Sequence, residues 1–258
     1  MAARPAALVT GAGRGIGRAC AVALARRGYD IVVNERSPTE DTDATVAAIE
    51  DLGVDAAVVH GDIADIEGHE ALLDEAWAAF DHLECLVNNA GVSVLSRGDL
   101  LDLGTESYDR CMAVNTRGTF FLTQAFARRL LAEPAETSWH RAIVFITSVN
   151  AADVVPVTRG EYGMSKAATS MAARLFAARL APEGIGVYEI RPGIIRTEMT
   201  EPSKARYDRF FAEGGAAIAR WGEPDEVGRC VATLAAGELP YTVGQAVLVD
   251  GGQGMNRL

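Results

Sequence analysis

Residues 6–25 read AALVTGAGRGIGRACAVALA, and the order of properties inside them decides the fold. A short apolar run, 6–10, reads as a strand. It passes through a glycine-rich turn, TGAGRGIG at 10–17, into the alanine-rich helical stretch RACAVALARRG. Glycines at such a junction permit a tight turn, a close backbone approach to a pyrophosphate and close packing of helix on strand. The free N–H groups of the helix's first turn then face an anion. Gly11, Arg14, Gly15, Ile16 and Gly17 are therefore candidates for holding a nucleotide. The spacing is not Gly-x-Gly-x-x-Gly, because three residues separate Gly11 from Gly15.

Outward from this stretch the same alternation repeats. AALVT (6–10), DIVVN (30–34), AAVVH (56–60), CLVNN (85–89), AIVFIT (142–147), GVYEI (186–190) and AVLVD (246–250) are seven candidate strands. Their nearly continuous apolar character suits parallel strands buried on both faces. Helical segments fall near 15–28, 39–52, 66–80, 105–132, 162–181 and 223–236. The expected fold is α/β, a doubly wound seven-stranded parallel sheet flanked by helices. With no linker, repeat or low-complexity tract, residues 1–258 are expected to form one domain. Two stretches break the rhythm: EPAETSWHR (133–141), read as an exposed turn, and the long segment 193–222 after the sixth strand.

Composition narrows the function classes. The net charge of −11 disfavours nucleic acid, where a basic face must displace counterions. No apolar run approaches a membrane span, and the N-terminus enters the glycine motif with no room for a signal peptide. A cytoplasmic protein is expected. Cys20, Cys85, Cys111 and Cys230 are far apart, in keeping with buried free thiols. They and the scattered histidines His60, His69, His82 and His140 show no ligand spacing, so no metal site is expected.

Two further stretches carry chemistry. The second strand ends VVNERS, where an acid faces the adenosine ribose of a bound dinucleotide and accepts hydrogen bonds from both hydroxyls. Glu35 fits that role and would repel an additional phosphate, favouring NAD(H); Arg14 and Arg36 are possible partners for that phosphate, which keeps NADP(H) open. GEYGMSKAATSM (160–171) sets Tyr162 and Lys166 four residues apart, one turn apart on one helix face. Of 24 basic residues only Lys166 and Lys204 are lysine. A compact ammonium suits a tight site that a planar guanidinium does not. Beside Tyr162, together with the positive nicotinamide ring of an oxidised cofactor, it is expected to favour the phenolate and lower the phenol's pKa.

Taken together, TGAGRGIG, NNAG (88–91), VNTRG (114–118), TS (147–148), YGMSK (162–166) and RPGIIRT (191–197) resemble the classical short-chain dehydrogenase/reductases, over essentially the whole chain and in the same order. The resemblance implies a single Rossmann-type domain, a nicotinamide cofactor and interconversion of a secondary alcohol with a ketone by hydride transfer. It implies a catalytic set of Asn115, Ser148, Tyr162 and Lys166. Tyr162 would be the acid/base, Lys166 a donor to the nicotinamide ribose, Ser148 a donor to the substrate oxygen and Asn115 the holder of a water. Cofactor contacts would come from Asp62 and Ile63 after the third strand, from Asn89, Ala90 and Gly91, and from Pro192, Gly193, Ile195 and Thr197 at the nicotinamide. Ser148 and Tyr162 have thirteen residues between them, one more than is common in the family. The resemblance also implies a homo-oligomer, dimer or tetramer.

Residues 196–222 are expected to form a substrate lid. Met199, Tyr207, Phe210 and Phe211 would make one apolar stripe, and Gly214, Gly215 and Gly222 would act as hinges. Such a lid suits a small substrate with an apolar body. The alternative is a 3-oxoacyl-[acyl-carrier-protein] reductase, whose acidic partner would need a basic rim from Arg128, Arg129 and Arg174. Against this stand Glu183 and the net charge. A nucleotide-sensing regulator without turnover is the non-enzymatic alternative.

Overall fold

In a computed structural model, which describes residues 4–133 and 139–255, the seven expected strands are present. They are β1 (Ala6–Thr10), β2 (Asp30–Glu35), β3 (Ala56–His60), β4 (Cys85–Asn88), β5 (Arg141–Ile146), β6 (Ile185–Pro192) and β7 (Ala246–Val249). All pairings are parallel, in the order β3-β2-β1-β4-β5-β6-β7. Leu8 of β1 pairs with Val32 on one side and Leu86 on the other. The chain order reverses between β1 and β4, and the crevice at the carboxyl ends there is where an open α/β sheet holds a ligand.

The helices are α1 (Gly15–Ala25), α2 (Glu40–Glu50), α3 (His69–Phe80), α4 (Thr105–Cys111), α5 (Thr119–Ala132), α6 (Gly160–Leu180), α7 (Lys204–Ala212) and α8 (Pro224–Ala235). The stretch expected as one helix over 105–132 is two, joined by a π-wound turn at Met112–Gly118. Alternate strand residues feed two cores. Ala7, Val9, Ile31 and Val33 pack with α1 and α8 on one face, while Leu8, Val32, Phe126 and Phe145 pack on the other. Fully burying a Leu, Ile or Phe stabilises the fold by about 1.5–3 kcal/mol each. Burial on both faces holds for β1, β2, β4, β5 and β6. The edge strands β3 and β7 are partly open, because each has one neighbour only. Most of the 133–141 turn lies outside the described residues. Among the described residues no helix is long and apolar enough to cross a membrane.

Candidate active site

A cleft of about 720 Å³ opens at the crevice between β1 and β4, and every candidate nucleotide contact named above lines it. Its floor is the glycine turn. Gly11 has φ +62°, which an L side chain rarely adopts. A Cβ on Gly17 would stand 2.0 Å from the Gly11 carbonyl oxygen, so only glycine fits. The first turn of α1 carries no side-chain cap and no acid, whereas Thr39 caps α2 and a Glu223–Glu226 capping box closes α8. The α1 N–H groups are thus left facing the cleft, an anion site by construction.

The turn is braced from β4. Thr10 Oγ1 donates to Val87 O and accepts from the Asn89 and Ala90 N–H groups, and Asn89 Nδ2 donates to Thr10 O at 2.9 Å and Gly11 O at 3.0 Å. The Asn89 amide is therefore a strut, and Ala90 and Gly91 present the wall. At the end of β2, Glu35 Oε1 accepts from Gly13 N at 2.8 Å, which fixes the carboxylate at the cleft. Arg36 is exposed beside it. Arg14 Nη1 lies 2.5 Å from Glu198 Oε2, so an ion pair joins the glycine turn to the segment after β6. Thr197 faces the same turn, with its Cγ2 3.4 Å from where a Gly15 Cβ would be.

Across the cleft, the loop after β5 and the head of α6 bring Ser148, Tyr162 and Lys166 together, all buried. Ser148 stands close enough to Tyr162 to pull on the phenol's ionisation, and its Oγ accepts from Asn150 N at 3.1 Å. The additional residue between them is absorbed in the loop 152–159 and does not part them. Lys166 Nζ lies 5.9 Å from the Tyr162 ring centre and donates to Ile146 O at 2.9 Å. Burial pushes the lysine down to about 8. The protein's own groups do not by themselves supply the expected lowering of the phenol. Burial pushes Tyr162 up, and the opposing pulls come from Arg159 and Ser148 rather than from Lys166. A desolvated phenolate lacks the water that would stabilise it.

Asn115 stands behind the wall. Its Oδ1 accepts from Val92 N, its Nδ2 donates to Val92 O and Ser165 Oγ, and its own carbonyl accepts from Thr169 Oγ1 at 2.7 Å. The π-wound turn aims it between the β4 loop and α6. Both Nδ2 hydrogens and one lone pair of Oδ1 are thus engaged, and its main-chain carbonyl accepts one side-chain bond.

A family model described as Enoyl-(Acyl carrier protein) reductase matches residues 11–254. The chain is 33% identical to the tetrahydroxynaphthalene reductase of Pyricularia oryzae, covering 95% of this chain and 88% of that one. It is 32% identical to the 3-oxoacyl-[acyl-carrier-protein] reductase of Staphylococcus aureus, covering 96% and 98%. The chain belongs to the classical short-chain dehydrogenase/reductase family. Among solved structures, the 3-oxoacyl-[acyl-carrier protein] reductase of Brucella melitensis in complex with NAD is 41% identical over the whole of both chains, with a TM-score of 0.95. A chain from Agrobacterium tumefaciens with bound NADP is 31% identical, covers 98% and 97%, and has a TM-score of 0.84.

This short-chain dehydrogenase/reductase departs from expectation at the substrate end. The apolar stripe splits: Met199, Tyr207 and Phe210 line the cleft, while Phe211 turns inward to a small core with Ala216 and Trp221. Of the three glycines taken as hinges, Gly214 has φ +73° and open space around it. A Cβ on Gly215 would sit 2.2 Å from the Phe210 ring, and one on Gly222 would sit 2.5 Å from Ile195 Cδ1. Those two are close-packing residues. None of Arg128, Arg129 and Arg174 lines the cleft, and Arg129 is tied to Glu70 and Asp74 of α3. Of three arginines that sequence reasoning passed over, Arg159 and Arg206 line the cleft here instead, and Arg97 lies near enough to feel their charge. They lie in three separate segments, and no motif links them.

Proposed function

We propose that this oxidoreductase interconverts a secondary alcohol and a ketone with a nicotinamide cofactor, Tyr162 moving the proton. The observation that carries the reading is the buried Ser148–Tyr162–Lys166 assembly facing a glycine-floored cleft. The residues fit a dinucleotide: the open α1 N-terminus suits its pyrophosphate, Glu35 its adenosine ribose, Lys166 its nicotinamide ribose, and Pro192 to Thr197 the wall beside its reacting ring. When bound, the cofactor takes or gives the hydride. Ser148 donates a hydrogen bond to the substrate oxygen and orients it toward Tyr162. Because burial holds the Tyr162 phenol protonated, it is poised to give its proton to a ketone oxygen at neutral pH. Oxidation of the alcohol requires the phenolate and so gains as pH rises. Lys166 and the Asn115 carbonyl supply a route for replacing the proton.

Glu35 favours NAD(H), with its carboxylate fixed where a ribose phosphate would be repelled. Residues 196–222 act as the lid over a small substrate with an apolar body, hinged at Gly214. One domain spanning the chain, a cytoplasmic location and a homo-oligomer complete the reading. Reduction of an acyl group on a carrier protein is the second reading, favoured by the names of the Brucella and Staphylococcus relatives. The positions of Arg128, Arg129 and Arg174 away from the cleft speak against it, and a free thioester analogue should be reduced at least as well as its carrier-protein form. Cofactor absorbance, followed with a panel of secondary alcohols and ketones and both cofactors, tests the proposal. Binding of a nucleotide without turnover of any of them would favour a regulator.

A further inference from the structure

Two guanidinium groups, those of Arg159 and Arg206, line the substrate end of the cleft, and a third, Arg97, lies near enough to feel their charge. Arg159, at the foot of α6, has its Cζ 5.3 Å from the centre of the Tyr162 ring and donates to Asn150 Oδ1 at 2.8 Å. Arg206, on α7, reaches Thr158 Oγ1 at 3.4 Å. Arg97, half-buried in the loop after β4, lies close enough to feel both charges and Tyr207. Several other arginines are neutralised, Arg4 by Asp30, Arg27 by Glu238, Arg129 by Glu70, Arg191 by Glu189, Arg196 by Glu223 and Arg220 by Glu226, while others such as Arg26 and Arg229 stand unpaired among the described residues, away from the cleft. Among the described residues none of the three makes an ion pair, and the nearby acids are engaged, Glu198 with Arg14, Asp153 with Arg191 and Glu161 with Ser107.

The chain has 35 acidic residues against 24 basic ones, so counter-charges are plentiful. Gathering three cations without one is unfavourable unless an anion joins them. A guanidinium carries five N–H donors in a planar fork, matched to the two oxygens of a carboxylate. Most of these donors have no acceptor within the protein. Since a net charge of −11 repels anions at long range, a local positive focus is what would draw one in.

We propose that Arg97, Arg159 and Arg206 bind a carboxylate of the substrate, so that the enzyme acts on a hydroxy acid or oxo acid whose acid group lies a few bonds from the reacting carbon. The spacing follows from Arg159, which stands against the ring whose hydroxyl moves the proton. Val155, Val157, Met199 and Phe210 receive the apolar remainder of the chain. The phosphate of a pantetheine thioester is the other oxyanion to consider, but it sits at the end of a long arm, far from its ketone. The proposal rests on the oxidoreductase reading only for the word substrate.

The test uses the full chain with NAD or NADP. Oxidation of 2-, 3- and 4-hydroxyhexanoate is compared with that of their methyl esters, for the parent and for R97Q/R206Q. At least one acid is expected to exceed its ester by tenfold or more in kcat/KM, and the variant is expected to reduce that ratio at least tenfold, through KM. A merely structural role would lower acid and ester together and leave the ratio unchanged, which overturns the proposal, as does an ester used as well as its acid. A preference seen only for acetoacetyl-pantetheine phosphate over its dephosphorylated form also overturns it. Calorimetric binding of hexanoate against hexanamide decides the matter without turnover. Tighter binding of the acid, lost in the variant, supports the site, and equal binding rejects it. Acid binding with no alcohol oxidised at all would remove the oxidoreductase reading and leave the anion site standing.

Discussion

The two ends of the cleft are built by opposite means. At the nucleotide end the backbone does the shaping: glycines with no room for a Cβ, a strut from Asn89, a carboxylate pinned to Gly13 N. At the substrate end long side chains from separate loops do it, with exposed Val155 and Val157 and three arginines lacking counter-charges. Backbone shape is set by local sequence and admits few variants. A side-chain wall changes with single substitutions, so the fold can keep its cofactor chemistry while its substrate varies.

If this division is right, the largest single effect lies at the boundary. Tyr162→Phe should lower turnover by about 10²–10⁴ while cofactor affinity, measured by titration, changes little. A comparable loss of cofactor binding would break the division. Lys166→Met should abolish activity yet raise stability. Burial lowers the lysine from 10.5 to about 8, so charging it in the fold costs about 3 kcal/mol. Losing its hydrogen bond to Ile146 O returns about 1 kcal/mol of that. The net gain should be about 2 kcal/mol by urea unfolding at neutral pH. The sign with pH follows: below about 8 both states are charged and the gain is constant. Between there and 10.5 the unfolded parent binds more protons, its stability climbs, and the gain should fall through zero to a small loss, since the missing hydrogen bond remains. A gain independent of pH would show that the lysine is not buried as a cation.

Glu35→Ala sharpens the nucleotide end. Loss of a charge-assisted acceptor, worth about 1.5–3 kcal/mol, should move the NAD(H) over NADP(H) preference by about tenfold or more in paired titrations. An unchanged ratio would hand the choice to Arg14 and Arg36. The smallest effect is expected from Glu198→Gln, which cuts the one ion pair described between the two ends. Both partners are about two-thirds exposed, and such pairs contribute about 0–1 kcal/mol. Cofactor Kd should move less than about fivefold, and less still at high salt.

What the sequence revealed divides along the same line. The sheet, the glycine floor, Glu35 and the Tyr162–Lys166 pair were legible because each lies within one contiguous stretch whose spacing has a physical meaning. Ser148 could be placed despite its unusual distance from Tyr162, since the slack falls in a loop. The direction of the phenol's shift could not, because it depends on how much water the fold removes. Nor could the approach of Arg97, Arg159 and Arg206, which depends on the tertiary positions of a loop and two helices. Gly215 and Gly222 looked like hinges because a sequence does not distinguish a glycine that bends from one that makes room.

The π-wound turn at Met112–Gly118 makes this part of the chain sensitive to length more than to identity. A π turn holds one residue more than regular winding needs. Deleting a residue within it would let the segment relax to ordinary winding, with α4 and α5 still in phase but the side chains inside the turn re-aimed. Asn115, inside the turn, would swing away from Val92 and Ser165. A one-residue deletion here should therefore be far more damaging than most single replacements, and the frame of this segment ought to be held fixed when the enzyme is redesigned or when loops are exchanged between relatives.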